Sequence, residues 1–107
     1  MNQNDPPTEH ILACLSSSPS NAKIVRTAAT MAKAFGGTFT ALYVRTPDSD
    51  QMGKEDCRRL QQHIRMAEQA GADISTIYGD DIPQQIAEFA RISGITKIVL
   101  GLSLIHI

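Results

Sequence analysis

Several features that would mark particular protein classes are missing from this 107-residue chain. No apolar run approaches the ~20 residues that a membrane-spanning helix needs. The polar start, which contains Pro6 and Pro7, has neither the basic residues nor the apolar stretch of a signal peptide. Lys and Arg total 10 and Asp and Glu total 11, so there is no basic surface for a nucleic-acid duplex or an anionic membrane. We therefore expect a cytoplasmic protein without nucleic-acid or direct membrane contact.

Residues that bind metals are also sparse and scattered. The two cysteines are Cys14 and Cys57, which fit reduced thiols, and the histidines are His10, His63 and His106. Because none of these residues cluster at metal-ligand spacing, we expect no metal site and no required cofactor. We also expect His63, which lies between polar neighbours, to be exposed.

What the chain does contain is an alternation of strand and helix patterns, at a length that suits one domain. Short apolar or β-rich runs at residues 11–15, 38–44, 74–78 and 98–100 read as strands, and amphipathic stretches separate them. Strands joined by helices pair in parallel, and right-handed crossovers put helices on both faces of the sheet. The sequence therefore predicts an α/β fold with a doubly wound parallel sheet, similar to a Rossmann fold.

Polar caps and apolar stripes locate the three helices. Ser18 is the predicted N-cap of the first helix, with Pro19 at its first position, and Asp81 the predicted N-cap of the third, with Gln84 three residues later. The buried stripes are predicted at Val25, Ala28, Ala29, Ala32 and Phe35; at Cys57, Leu60, Ile64 and Ala67; and at Ile82, Ile86, Phe89 and Ala90.

The best candidate for a ligand site is the serine loop, residues 16–20, which joins the first strand to the first helix. In doubly wound sheets, ligands bind beyond the carboxyl ends of the strands. Unpaired backbone amides and the positive end of a helix favour a phosphate there, and Ser16, Ser17 and Ser18 add hydroxyl donors. Tyr43, near the end of the second strand, either stacks on a purine or belongs to the core, whereas Phe39 fits the core better.

Residues 11–101 resemble the universal-stress-protein-like domain of the KdpD potassium-sensor histidine kinases. The resemblance rests on the serine loop, on residues 78–81 with 85–88, on residues 93–99, and on Ser-x-Ser followed by residues 19–38 and then Phe-Thr-Ala-Leu-Tyr. It implies binding of cyclic di-AMP, a bacterial second messenger. The ligand motif that it implies is Ser16, Ser18, Phe39, Thr40, Ala41 and Tyr43.

The same resemblance sets the expected organisation of the chain. We expect a disordered lead at residues 1–9 and a domain at residues 10–101 that lacks the family's last helix and strand. Residues 102–107 read as the translation of a sequencing adapter. Without them, the fourth strand would lack a neighbour at one edge.

The predicted function is ligand sensing without catalysis. The partner that the resemblance implies is a kinase domain, in cis or in trans, and its parent proteins are anchored in a membrane. Two alternatives stay open: an ATP- or AMP-binding universal stress protein, and a ligand-free dimerisation or docking module that could be a homodimer. A phosphoacceptor receiver domain is disfavoured, since Ser16 and Ser17 stand where it needs paired acidic residues.

Overall fold

Five strands and three α-helices form the fold in the computed structural model, which describes residues 8–100 and, for the backbone alone, residues 103–106. A single 3-10 turn, Ser49–Gln51, interrupts the connection that follows the second strand. In chain order the elements are β1 (His10–Cys14), α1 (Asn21–Phe35), β2 (Thr38–Arg45), α2 (Lys54–Gln69), β3 (Asp73–Tyr78), α3 (Ile82–Ile92), β4 (Lys97–Leu100) and β5 (Ser103–His106).

The strands form one sheet in the order β3-β2-β1-β4-β5. β1 pairs in parallel with β2 and with β4, so that Leu12 lies between Thr40 and Ile98, and β2 pairs in parallel with β3. The chain runs outward from β1 to β3 and then crosses back to β4 on the other side of β1. This reversal confirms the predicted doubly wound fold, and it puts the point where strand order switches at the carboxyl end of β1.

Two apolar layers cover the two faces of the sheet. Ile11 and Ala13 of β1 and Phe39 and Ala41 of β2 face α1 and α2, and they are all buried. The alternate positions, including Leu12, Leu42 and Val44, face α3. The strands therefore bury side chains on both faces, as parallel strands between helices do.

The ends of the helices depart from the sequence expectations. α1 begins at Asn21, after Ser20 rather than Ser18, because the Ser18 carbonyl oxygen accepts from the Asn21 N–H (2.9 Å) in a turn before the helix. Phe35 is 51% exposed at the last position of α1, where its ring lies 4.9 Å from the Lys97 ammonium. Cys57 and Ile82, in the first turns of α2 and α3, are also exposed, so the buried stripes do not reach these helix ends. The predicted cap of α3 is confirmed, since the Asp81 carboxylate accepts from the Gln84 N–H at 3.1 Å.

Both ends of the predicted domain have neighbours in the sheet. Glu9, which was expected in the lead, accepts from the Thr96 hydroxyl (2.7 Å) and from the Lys97 ammonium (2.6 Å). β5, which lies within residues 102–107, pairs antiparallel with β4 and covers the edge that we expect to be open without those residues. The adapter origin of residues 102–107 stays a prediction, and residues 1–7, 101, 102 and 107 lie outside the described residues.

None of the helices in the described ranges is long and apolar enough to cross a membrane. The longest is α2, which has 16 residues and carries Glu55, Asp56, Arg58 and Arg59 in its first two turns.

Gly37 gives a test of the junction between α1 and β2. A Cβ at this position would lie 2.2 Å from the backbone oxygen of Glu9, so Gly37→Ala forces two chain segments apart. We expect the free energy of unfolding to fall by about 1–3 kcal/mol, as in other overpacked sites. Urea unfolding followed by circular dichroism measures this change.

Gly53→Ala is the matched control, because a Cβ there meets nothing within 4 Å and the φ of −71° suits any residue. Alanine is a poorer N-cap than glycine, which lowers stability, but it also restricts the unfolded chain, which raises stability. We therefore expect the free energy of unfolding to change by less than about 1 kcal/mol. Equal losses in the two variants would contradict the packing of residue 9 against Gly37.

Candidate functional site

A pocket of about 510 Å³ lies at the carboxyl edge of the sheet, where the strand order reverses. The ends of β1, β2 and β4 form its floor, and the serine loop forms one wall. The connection that follows β2 and the first turns of α3 close the other sides. The side chains that line it are mostly apolar, with hydroxyl groups from Ser16, Ser17, Tyr43, Thr46 and Ser49 and one carboxylate, that of Asp48.

One buried asparagine fixes the start of the serine loop. Asn21 is 1% exposed; its Nδ2 donates to the carbonyl oxygen of Cys14 at 2.8 Å, and its Oδ1 accepts from the N–H of Ser16 at 3.1 Å. The side chain thus replaces the backbone partners that are lost where β1 ends. Our sequence reading missed Asn21, although it falls four residues before Val25 on the buried stripe of α1.

The serine loop satisfies many of its own polar groups. The N–H of Ser18 donates to the Ser16 hydroxyl at 3.2 Å, and the hydroxyls of Ser18 and Ser20 share a hydrogen bond of 2.9 Å. The expectation of free backbone amides is therefore corrected for Ser16 and Ser18, which both donate within the protein. Only one hydroxyl hydrogen is used between Ser18 and Ser20, so the other can reach a ligand.

Two side chains of α2 contact backbone carbonyl oxygens of the serine loop. His63 is 4% exposed, and its Nδ1 lies 2.7 Å from the carbonyl oxygen of Ser16. Arg59, one turn earlier, donates to the carbonyl oxygen of Ser17 at 3.0 Å and to Asp56 at 3.2 Å. The expectation that His63 is exposed is wrong, because residue 63 lies on the same face of α2 as the buried Leu60 and Ala67. That i, i+3, i+7 spacing was the signal that could have found it.

The structure brings together part of the predicted ligand motif. Ser16, Ser17 and Tyr43 line the pocket, and Ser18 is exposed beside them in the loop.

The other three motif residues lie deeper along β2. Phe39 and Ala41 are buried in the core that faces α1 and α2, and Thr40 is half-buried on the opposite face. None of the three lines the pocket, because β2 runs upward from its amino end through Phe39 and reaches the pocket at Leu42. Their part in binding stays a prediction.

The Cys14 thiol on the pocket floor is a poor nucleophile at neutral pH. Burial raises the pKa of the Cys14 thiol to about 11, so it stays protonated at neutral pH and lines the pocket as a small apolar group. Across the described part of the chain, His, Cys, Asp and Glu form no group that could hold a metal ion. The arrangement suits the binding of an amphipathic ligand with an apolar body and a polar end.

Comparisons with known proteins agree with this architecture. The model of the universal stress protein family matches residues 7–103. The sensor protein KdpD of Clostridium acetobutylicum is 39% identical over 94 residues, which cover 88% of this chain and 10% of that protein. KdpD of Escherichia coli K12 is 30% identical over 91 residues, which cover 85% and 10%. The chain thus spans about a tenth of the length of these curated relatives.

A solved structure has the same fold at low sequence identity. A universal stress protein in complex with cAMP matches with a TM-score of 0.66 and 14% identity, covering 87% of this chain and 71% of that one. Together with the family match over nearly the whole chain, these findings confirm the resemblance inferred from the sequence. The chain belongs to the universal stress protein family, in a form similar to the corresponding segment of KdpD sensor proteins.

Proposed function

We propose that this domain is a sensor that binds cyclic di-AMP in the pocket at the carboxyl edge of the sheet. The observation that carries the proposal is the meeting of the serine loop and Tyr43 in one pocket of about 510 Å³ at the switch point. This is the place where sheets of this topology bind ligands, and the volume suits a nucleotide-sized group.

The residues that line the pocket suggest where each part of the ligand would bind. A phosphate group would sit over the serine loop, where the hydroxyls of Ser17 and Ser18 and the positive end of α1 attract it. An adenine would lie across the apolar side of the pocket, against Tyr43 and Met52. Stacking on an aromatic ring stabilises a base whatever its identity.

The buried motif residues would act through Tyr43. Phe39, Ala41 and Tyr43 share one face of β2, and Tyr43 packs against the core that contains the other two. Through this core they would support the Tyr43 side chain. In this proposal they shape the pocket without contacting the ligand.

The choice of cyclic di-AMP rests on the KdpD resemblance and on the Ser-x-Ser and Phe-Thr-Ala-Leu-Tyr motif. We propose that occupancy of the pocket is read by a potassium-responsive kinase domain, in cis or in trans, on the cytoplasmic side of a membrane. The domain itself would bind and release the nucleotide without catalysis. A ligand can shift the equilibrium between two states of such a kinase only if it binds one state more tightly than the other.

An adenine mononucleotide is the second candidate. It is favoured by one observation, the universal stress protein of the same fold that is in complex with cAMP. The phosphates of ATP or AMP would bind at the serine loop, and their single adenine would lie against Tyr43. A ligand-free dimerisation or docking module is the outcome that remains if no nucleotide binds.

Calorimetric titration with cyclic di-AMP tests the site through two variants. Tyr43→Ala removes the stacking face, and Ser17→Ala removes a hydroxyl that would donate to phosphate. Stacking contributes about 1–3 kcal/mol and a hydrogen bond to a charged group about 1.5–3 kcal/mol, so each variant should weaken binding about 5-fold or more.

Each variant has a control of the same residue type away from the pocket. Tyr78 is 58% exposed at the end of β3, and Ser93 follows α3; neither lines the pocket. Tyr78→Ala and Ser93→Ala should leave the affinity unchanged. ATP, AMP and cyclic di-GMP serve as comparison ligands. Tight binding of ATP alone would replace cyclic di-AMP by the second candidate, and equal losses in site and control variants would contradict the pocket.

The two cysteines give a second test within one molecule. Cys57 is exposed on α2, whereas Cys14 lines the pocket with a pKa of about 11. Iodoacetamide at mildly alkaline pH should therefore alkylate Cys57 first, because the thiolate is the reactive form. Saturating cyclic di-AMP should slow alkylation of Cys14 and leave that of Cys57 unchanged, as measured by peptide mass spectrometry. Unchanged rates at Cys14 would argue against a ligand in this pocket.

A further inference from the structure

Two side chains of α2 contact the carbonyl oxygens of consecutive residues in the serine loop. His63 contacts the Ser16 oxygen at 2.7 Å and Arg59 donates to the Ser17 oxygen at 3.0 Å. Since a carbonyl oxygen only accepts, the hydrogen of this bond is on Nδ1 of His63. The two residues are four apart, so they lie on one face of the helix and reach the loop together. The contacts join segments that are 42 and 47 residues apart in the chain.

These contacts set the direction in which the loop presents its polar groups. In a trans peptide the C=O of one residue and the N–H of the next point in opposite directions. When α2 holds the Ser16 oxygen, the N–H of Ser17 points away from α2. When it holds the Ser17 oxygen, the N–H of Ser18 also points away, and it donates to the Ser16 hydroxyl at 3.2 Å. The negative ends of both peptide groups are thus engaged by donors outside the pocket.

A loop that binds phosphate needs this arrangement, because a free carbonyl oxygen facing the ligand would repel it. Asn21 fixes only the N–H side of Ser16 and the end of β1. The carbonyl oxygens of Ser16 and Ser17 are held by α2, whereas that of Ser18 accepts from the Asn21 N–H. Arg59 is itself held by Asp56 at 3.2 Å, so its guanidinium is oriented before any ligand binds.

We propose that Arg59 and His63 are positioning residues for the ligand site: they orient the serine loop for phosphate and couple α2 to occupancy of the pocket. The ligand part of this proposal rests on the proposed function, whereas the orientation of the loop does not. Coupling is reciprocal, so a ligand that orders the loop must strengthen the two contacts to α2 as much as those contacts strengthen binding.

Two pairs of substitutions separate positioning from general packing. His63→Leu keeps an apolar group and loses the donor, whereas His63→Asn places an amide N–H near the position of Nδ1. Arg59→Met keeps most of the apolar stem without the guanidinium. The matched control is Arg58→Met, because Arg58 is on the same helix, is exposed and pairs only with Glu55 among the described residues.

The first readout is amide hydrogen exchange in the ligand-free protein. His63→Leu and Arg59→Met should raise exchange of the Ser16 and Ser18 amides about 10-fold or more, because local opening of the loop becomes easier. Exchange of the central β1 amides should not change. His63→Asn should restore most of the protection, and Arg58→Met should resemble the wild type. Unchanged exchange in both donor-less variants would overturn the proposal, whether or not a nucleotide binds.

The second readout is the affinity for cyclic di-AMP and for ATP by calorimetry. We expect a loss of about 5-fold or more for His63→Leu and Arg59→Met, within the usual range of coupling between sites. His63→Asn should recover affinity, and Arg58→Met should bind as the wild type does. Looser loops with unchanged affinity would overturn the positioning role. If the wild type binds neither nucleotide, the proposed function and the coupling to ligand both fail, and the exchange data then decide the orientation of the loop alone.

Discussion

The hydrogen bonds of the buried Asn21 side chain hold the end of β1 to the start of α1. At this point the chain leaves a fully buried strand, and its backbone groups lose their partners in the sheet while they are still shielded from water. Unpaired buried groups of this kind each cost about 1–3 kcal/mol. Asn21 satisfies the Cys14 carbonyl and the Ser16 N–H with one amide, so the chain can turn over the sheet edge within the serine loop.

The shape of the pocket follows from that turn. Asn21 sets where the serine loop begins, and Arg59 and His63 hold its carbonyl oxygens on the side of α2. Because these anchors come from two different helices, the loop is part of the packed structure although much of it is exposed. β2 then brings Tyr43 to the same edge, next to the floor formed by Cys14. A hydroxyl-rich wall and an aromatic side chain thus meet in one pocket, where Asp48 is the one charged residue in the described lining.

The sequence was sufficient for the architecture, because buried strands and crossover helices leave patterns that depend only on local periodicity. The apolar runs predicted β1 to β4, and the period of two along β2 puts Phe39 and Ala41 on one face of the sheet and Leu42 and Val44 on the other. The switch-point rule predicted a ligand site at the carboxyl edge, where one of the pockets lies, and binding there stays a prediction. Such features are repeated along an element, so a few atypical residues do not obscure them.

The details that failed are those that a single residue decides. Polar character suggested an exposed His63, although its position beside Leu60 and Ala67 buries it, and the same reasoning overlooked Asn21 on the stripe of α1. Phe35 and Ile82 follow helical spacing but lie at the last and first positions of their helices, where they are exposed. Long-range bonds such as that between Arg59 and Ser17 leave no local pattern, since the partners are 42 residues apart.

The central claim is that the nucleotide binds at the carboxyl edge. A second pocket, of about 530 Å³, lies at the opposite edge beside Lys33, Gly37 and Thr38, and offers an internal comparison. Amide chemical shifts of the wild-type protein, recorded during a titration with cyclic di-AMP, distinguish the two edges residue by residue. The account predicts that the largest changes occur in the serine loop and at Tyr43, with little change at Gly37 and Thr38. Changes centred on Gly37 and Thr38, or none at any concentration, would contradict it.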